Sequence, residues 1–377
     1  MTSRVAEHTD WNVAVIGAGP AGSVAAIRLA QLGHHVTLFE KAKFPRDKVC
    51  GECLSATGIA VLSRLGVAET MRVELGPITL RHASAVASDG SASVVDLPAT
   101  MWGLTRRSMD SWLFDFARAS GAHVRLGTAA CDLRNMTVPV IPHERDTRAT
   151  HKGEHAFDAI MLADGRAGSL SRAAPTGDFG IKAHFRYVDA DRDTIELVAL
   201  AGGGYAGLAP VNDDLWNAAW SVPAKLLKQH RGDIDALFGE ALARSPHLHQ
   251  RFARATRVGD WLSCPLPRHA VRKDWPRNVI PIGNAAAALE PVGGEGMGLA
   301  MRSGELAAEA IDLAAREGRD VDACALQAKF QRLWRTRRAA CRGAAIALTH
   351  PIVGPLAIEL SRRSPALARA GLALVGK

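Results

Sequence analysis

The alternation of apolar and polar positions divides the chain into regions of different character. Asn12 to Ile16 (NVAVI) is a short apolar run rich in β-branched residues, as expected of a strand buried on both faces of a parallel sheet. The glycine-rich turn Gly17-Ala18-Gly19-Pro20-Ala21-Gly22 follows, then SVAAIRLAQLG, a helical pattern that stops at Gly33. His35 to Phe39 (HVTLF) predicts a second strand. Asn278 to Ile282 predicts a late one, and LAMRSGELAAEAI after Gly298 predicts a helix. Between these flanks the strand–helix alternation disappears. Ile181 to Val188 and Thr194 to Ala201 alternate like antiparallel strands, and Gly202-Gly203-Gly204-Tyr205 predicts a turn.

The opening strand–turn–helix–strand unit carries chemistry. Gly17 permits the tight turn, Gly19 lets a pyrophosphate approach the backbone, and Gly22 lets the helix pack close to the strand. The helix start offers free N–H groups and the positive end of its dipole. Glu40 lies 23 residues beyond Gly17, where a carboxylate accepts hydrogen bonds from an adenosine ribose. Gly17, Ala18, Gly19, Pro20, Ala21, Gly22, Glu40 and the adjacent Lys41 are therefore candidate cofactor-binding residues. No second strand–GxGxxG–helix unit is found, and a single unit near the start of the chain fits a tightly held FAD better than a nicotinamide domain.

Composition narrows the partners. With 47% hydrophobic and 22% charged residues the chain is an ordinary globular protein. Only 5% aromatics argues against a run of base-stacking platforms, so no nucleic-acid partner is expected. A net charge of +8 favours an anionic ligand or partner. Of the six cysteines only Cys50 and Cys53 are close, which suits a reducing, cytoplasmic setting. The longest apolar stretch, Ala344 to Leu360, contains His350, Pro351 and Pro355, so a broken helix or surface element is expected there. Lys329, Arg332, Arg335, Arg337, Arg338 and Arg342, with Arg362 and Arg363, form either a solvated helical face or a docking patch for an acidic carrier protein or an anionic lipid surface.

Phe44-Pro45-Arg46-Asp47-Lys48-Val49-Cys50-Gly51 resembles the FPRxKxCG segment of geranylgeranyl reductase-like flavoproteins. That family is related to p-hydroxybenzoate hydroxylase-type monooxygenases and flavin-dependent halogenases. The resemblance runs over about residues 10 to 320 and makes Arg46, Cys50 and Gly51 candidate FAD contacts. Leu104 to Leu113 (LTRRSMDSWL) resembles the R-x-x-L-D-x-x-L helix start, in which Arg106 would reach the flavin's phosphate side, and Ser108 or Asp110 could cap the helix. Ala163-Asp164-Gly165-Arg166-Ala167-Gly168-Ser169 resembles the ADG-type turn near the pyrophosphate, with Arg172 beyond it. Gly283-Asn284 stands where the family has Gly-Asp; an amide still accepts a hydrogen bond from the ribityl chain but carries no charge. Glu290 to Gly298 (EPVGGEGMG) resembles the turn over the flavin's pyrimidine edge, implicating Gly294, Gly296 and Met297. A helix N-terminus there stabilises reduced flavin by about 0.3–1 kcal/mol. That corresponds to tens of millivolts, which tunes the flavin without making its chemistry.

In the middle region Tyr205 to Pro210 (YAGLAP) resembles the reductases' YxWxFP segment, with Gly207 and Ala209 replacing the two aromatics and opening the pocket. The WxWxIP of halogenases is absent, which counts against halogenation. His184, Tyr205, Gly207, Ala209 and Pro210 are the candidate substrate contacts; no catalytic residue is singled out. Cys50-Gly51-Glu52-Cys53 could be half of a zinc site or a redox disulfide. A small Cys50 packed near the flavin, with no metal site, is the favoured reading.

These readings imply an α/β fold: a discontinuous FAD-binding Rossmann-like domain, an inserted antiparallel-sheet substrate domain and a helical C-terminal tail. The expected FAD-binding parts are 1–80, 101–173 and 271–320. An excursion into the substrate sheet is expected over 81–100, the substrate domain over 174–270 and the tail over 321–377. The function implied is FAD-dependent oxidoreduction. Hydroxylation of an apolar, aromatic or polyketide-like small molecule, possibly carrier-bound, through a flavin C4a-hydroperoxide with NAD(P)H as reductant stands first. Reduction of isoprenoid C=C bonds stands second, and a non-catalytic flavin-binding or maturation partner third. Peripheral membrane contact is compatible with the basic tail, and oligomeric state is left open.

Overall fold

The computed structural model describes residues 10–130, 140–142, 157–165, 175–267, 271–273, 275 and 279–376. In chain order its first elements are β1 (Asn12–Ile16), α1 (Pro20–Gln31), β2 (His35–Glu40), β3 (Cys53–Leu54), α2 (Ala56–Arg64), α3 (Ala68–Leu75), β4 (Ile78–Val86) and β5 (Ala92–Gly103). Then come α4 (Arg106–Ala119), β6 (His123–Leu126), β7 (Thr128–Ala130), β8 (Val140–Pro142), β9 (Ala159–Leu162), β10 (Pro175–Arg186), β11 (Thr194–Ala199), β12 (Tyr205–Pro210) and β13 (Trp216–Pro223). The rest are α5 (Ala224–Gln229), α6 (Ile234–Arg244), α7 (Pro246–Phe252), β14 (Thr256–Pro267), β15 (Val279–Pro281), α8 (Gly296–Arg316), α9 (Ala323–Thr349), α10 (Val353–Arg363) and α11 (Pro365–Val375).

The first sheet has the order β15-β9-β1-β2-β6, all parallel, so three separated stretches of chain build one Rossmann-like sheet. Its central strand is apolar throughout because both faces are covered: Val13, Ala14 and Val15 are fully buried. One face packs on α1, α4 and α8 through Val24, Ile27, Leu113 and Leu299; the other buries Ala14, Phe39, Phe157 and Ile160. Helix α4 is capped by Thr105, whose Oγ1 accepts from the Ser108 N–H at 3.1 Å. Ser108 and Asp110, the caps expected from sequence, lie too far into the helix, and Asp110 pairs with Arg106 instead.

The second sheet has the order β14-β10-β13-β12-β11-β4-β5-β3. It is antiparallel except where β11 meets β4 in parallel, Thr194 opposite His82, so it is mixed rather than wholly antiparallel. The β4–β5 hairpin leaves the Rossmann-like part early and offers its free edge, and β11 joins that edge from the insertion. The two alternating runs in the middle of the chain are not neighbours, since β13 and β12 separate β10 from β11. Because strand side chains alternate, Ile181, Ala183, Leu208 and Trp220 bury one face beneath α5, α6 and α7. The opposite face carries Lys182, His184, Tyr205, Gly207, Asn217 and Ala219, and it meets the loop before β3 at Cys50 and Glu52 and, through Tyr205, Glu290.

Helices α9, α10 and α11 close the structure. The buried stripe of α9 runs Phe330, Trp334, Cys341, Ala345, and a Cβ on Gly293 would lie 2.7 Å from Cys341 Sγ. Two arginines expected on the solvated basic face turn inward at this end. Arg337 Nε lies 3.6 Å from Glu295, and Arg342 donates to Glu290 at 2.9 Å. A bend of 107° separates α9 from α10, where the prolines interrupt the apolar run. Among the described residues no single helix is long and apolar enough to cross a membrane.

Candidate cofactor site

The floor of the site is the β1–α1 turn. Gly17 has φ +102°, and a Cβ placed on it would lie 2.4 Å from the Ala163 carbonyl oxygen, so only glycine fits. A Cβ on Gly22 would lie 1.8 Å from the Gly17 oxygen, which fixes how closely α1 approaches the strand. Gly19 is different: its Cβ position faces open space, with nothing nearer than Arg46 Nη2 at 4.0 Å. Pro20 occupies the first helical position, and the first-turn N–H groups of Ala21 and Gly22 beyond it have no intrahelical acceptors. Glu40 is buried at the end of β2, where Oε2 accepts from Ala18 N and Oε1 from Ala42 N, each at 2.9 Å. It holds the turn and keeps lone pairs for a ribose hydroxyl. Lys41 is exposed.

A guanidinium pair stands over this turn. Arg106 clasps the fully buried Asp110 through Nε and Nη2, both at 2.7 Å. Burial works against the Arg106 charge, but Asp110 outweighs it and raises the pKa. Arg46 reaches the same carboxylate through Nη1 at 3.0 Å, stacks on Phe44 at 4.8 Å and approaches Glu40 at 3.4 Å. Among the described residues its buried Nε has no hydrogen-bond partner. An open glycine at a helix N-terminus beside an orphaned buried guanidinium N–H fits the diphosphate of a dinucleotide.

The other glycine motifs converge on the same trough. Asp164 and Gly165 are half-buried after β9, with the Asp164 nitrogen 3.2 Å from the Gly17 Cβ position. Arg166, Ser169 and Arg172 lie outside the described residues. Gly283 N donates to Ser303 Oγ at 2.8 Å, and a Cβ on Gly283 would lie 3.0 Å from the Ala21 Cβ; Asn284 is half-buried beside it. Gly294 is half-buried and Gly296 exposed at the start of α8, whereas the Met297 side chain is in the core and leaves only its backbone for a ligand. A Cβ on Gly298 would lie 2.3 Å from Ser55 Oγ, which brings the late turn against the segment that follows Cys50 and Gly51. Gly51 is exposed, and Cys50 is half-buried with its sulfur near Arg106. Cys53 packs in a cluster with Leu80 and Met101, and no disulfide joins it to Cys50.

The sequence reading missed a buried charge cluster at the junction with the second sheet. Glu52, fully buried and left-handed at φ 57°, accepts from Arg106 N at 2.7 Å and Lys182 Nζ at 2.5 Å through Oε1. Its Oε2 lies 2.6 Å from His184 Nε2. Burial works to raise the Glu52 pKa, but the His184 hydrogen bond and the Lys182 charge hold the carboxyl below its ordinary range. Lys182 Nζ also donates to the Lys48 carbonyl at 3.3 Å. Lys182 and His184 are two residues apart in one strand and so share a face; that spacing was the available signal. Beside them a cavity of about 230 Å³ opens at the β10–β14 bulge, lined by Asp47, Lys182, His184, Asp260 and Leu262.

Of the other substrate candidates, Gly207 is half-buried, with its Cβ position 3.0 Å from the Ala219 oxygen and 3.8 Å from the Leu197 side chain, while Ala209 and Pro210 are packed into the sheet. Tyr205 is buried, and its hydroxyl donates to Glu290 at 3.0 Å. Burial and that carboxylate push the phenol well above its ordinary pKa.

A discontinuous parallel sheet whose glycine turns and arginines make one diphosphate trough defines a dinucleotide-dependent flavoprotein. Residues 10–323 match the FAD binding domain family, and the chain belongs to it. It is therefore an FAD-dependent enzyme by family, with FAD the cofactor that the trough fits. A menaquinone reductase of Mycolicibacterium smegmatis is 27% identical, aligned over 80% of this chain and 76% of that protein. A digeranylgeranylglycerophospholipid reductase of Methanothrix thermoacetophila is 28% identical over 86% and 83%. The solved flavin-dependent brominase Bmp2 superposes with a TM-score of 0.80 at 21% identity, covering 98% of this chain and 94% of that one.

Proposed function

We propose that the chain is a monooxygenase that hydroxylates a flat aromatic substrate with a polar edge. The observation that carries this reading is the floor of the second sheet. Gly207 and Ala219 are half-buried cross-strand partners on the face that carries Lys182 and His184, so two small residues lie beside that polar cluster and leave room there for a ring. The adjoining cavity is lined by Asp47, Lys182, His184 and Asp260, which suits hydroxyl or amino substituents better than a prenyl chain.

When bound, FAD supplies the electrons and activates oxygen, with NAD(P)H as the reductant in this reading. The chain's own residues hold and orient. Arg46 and the α1 N-terminus hold the phosphates, and the α8 N-terminus presents its dipole to negative charge. His184, the most exposed member of its cluster, lines the cavity and exchanges protons there, its ring held by Glu52 Oε2 at 2.6 Å. Lys182 keeps that carboxylate charged and fixed.

The reductase relatives favour a second reading, reduction of a lipid-soluble quinone or olefin. Two assays separate them. The FAD-loaded protein, reduced anaerobically and then given isotopically labelled oxygen with a panel of phenols and aminoarenes, is expected to place label in the product. Anaerobic turnover of an olefin or quinone, with no label taken up, would move the assignment to the reductase. Gly207→Phe should fill the floor and lower turnover at least about tenfold with FAD retained. Unchanged turnover would put the substrate elsewhere.

A further inference from the structure

We infer that the C-terminal helices form a docking surface for an anionic lipid membrane, whichever reaction the flavin performs. The charge is concentrated there: residues 323–377 contain ten Lys or Arg and a single carboxylate side chain, Glu359, in a chain whose net charge is +8. Helix α10 binds the protein through Gly354, Ile358 and Ser361, the last bonded to Ser93 at 2.9 Å. Its other face is uncovered and apolar, with Ile352 66%, Leu356 64% and Leu360 56% exposed. On α11, Leu367 and Leu374 are likewise exposed, at 60% and 56%. On α9, Arg335 and Arg338 are three residues apart and so share a face, which adds basic positions to the exposed aliphatic ones of α10 and α11.

Leucines that enter the acyl boundary beside arginines at headgroup level are the chemistry of an interfacial helix. An acidic protein partner would match the arginines but leave isolated large aliphatic side chains between them unexplained. The inner side of α9 pairs Arg337 and Arg342 with Glu295 and Glu290 of the late glycine turn. The docked surface therefore sits one helix thickness from the cofactor trough.

The test uses the full FAD-loaded chain and vesicles of phosphatidylcholine alone or with about 30% phosphatidylglycerol. Co-sedimentation is expected with the anionic vesicles and should weaken as salt rises from about 50 to about 500 mM. Leu356→Glu with Leu360→Glu should reduce partition at least about tenfold. Arg335→Glu with Arg338→Glu should remove the preference for anionic lipid. Retained FAD and an unchanged circular dichroism spectrum show that each variant is folded. Failure of the parent protein to sediment with either vesicle, or leucine variants that bind like the parent, would overturn the inference. So would a dimer that Leu356→Glu dissociates, or capture of an acidic carrier protein by a chain that ignores vesicles.

Discussion

Gly19→Val is expected to leave the chain folded and strip it of FAD. The backbone at Gly19 has φ −78° and ψ −177°, an extended conformation that any residue adopts. Its Cβ position meets nothing within contact except the end of Arg46 at 4.0 Å. The valine side chain therefore costs the free protein little and occupies the space above the helix N-terminus that a diphosphate needs. The expected loss is at least about 100-fold in FAD affinity, or about 2.8 kcal/mol. It should be read by flavin fluorescence titration beside an unchanged thermal melt of the apoprotein. Gly17→Val is the contrasting control. Its Cβ would sit 2.4 Å from the Ala163 oxygen at a positive φ, so that variant should lose stability as well as flavin. A Gly19→Val protein that stays yellow would remove the β1–α1 turn from the cofactor site.

These glycines were legible because their constraint is local: one strand, one turn and one helix within about 30 residues say what the backbone must do. The late turns were legible for a similar reason, since each is a short glycine-rich segment between a strand and a helix. Contacts that join distant segments were hidden. Glu52 and Lys182 are 130 positions apart, and nothing near either one names its partner. The parallel β4–β11 pair likewise depends on which sheet edge is free once the hairpin has formed. Arg337 looked like one more surface charge in a basic run. Its helical phase, four residues before the buried Cys341, turns it toward Glu295. Sequence counts the charges of such a helix, and packing decides which of them pair.

The largest stability effect is expected at Glu52. Its carboxylate joins three elements: the glycine-rich loop before β3, the start of α4 through Arg106 N, and β10 through Lys182 and His184. Glu52→Ala removes the counter-charge of a lysine that is 1% exposed. Breaking a buried pair in this way costs about 3–5 kcal/mol, because the remaining charge has no solvent to receive it. Replacing both partners is cheaper than replacing one, so Lys182→Met in the Glu52→Ala background should restore part of the loss. The cycle should give a coupling of about 1–3 kcal/mol in urea denaturation.

The acid dependence follows from the direction of the shift. The folded carboxyl titrates below its ordinary value of 4.5, so its stabilisation is present above that pH and lost as pH falls through the lower folded value. The stability gap between the parent protein and Glu52→Ala should therefore narrow as the solution is acidified below about pH 4.5. The same latch orders the loop that carries Arg46, so Glu52→Ala should weaken FAD binding without touching the phosphate trough itself. A Glu52→Ala protein within about 0.5 kcal/mol of the parent at neutral pH would mean that Lys182 finds solvent or another anion. The cluster would then have no part in joining the two sheets.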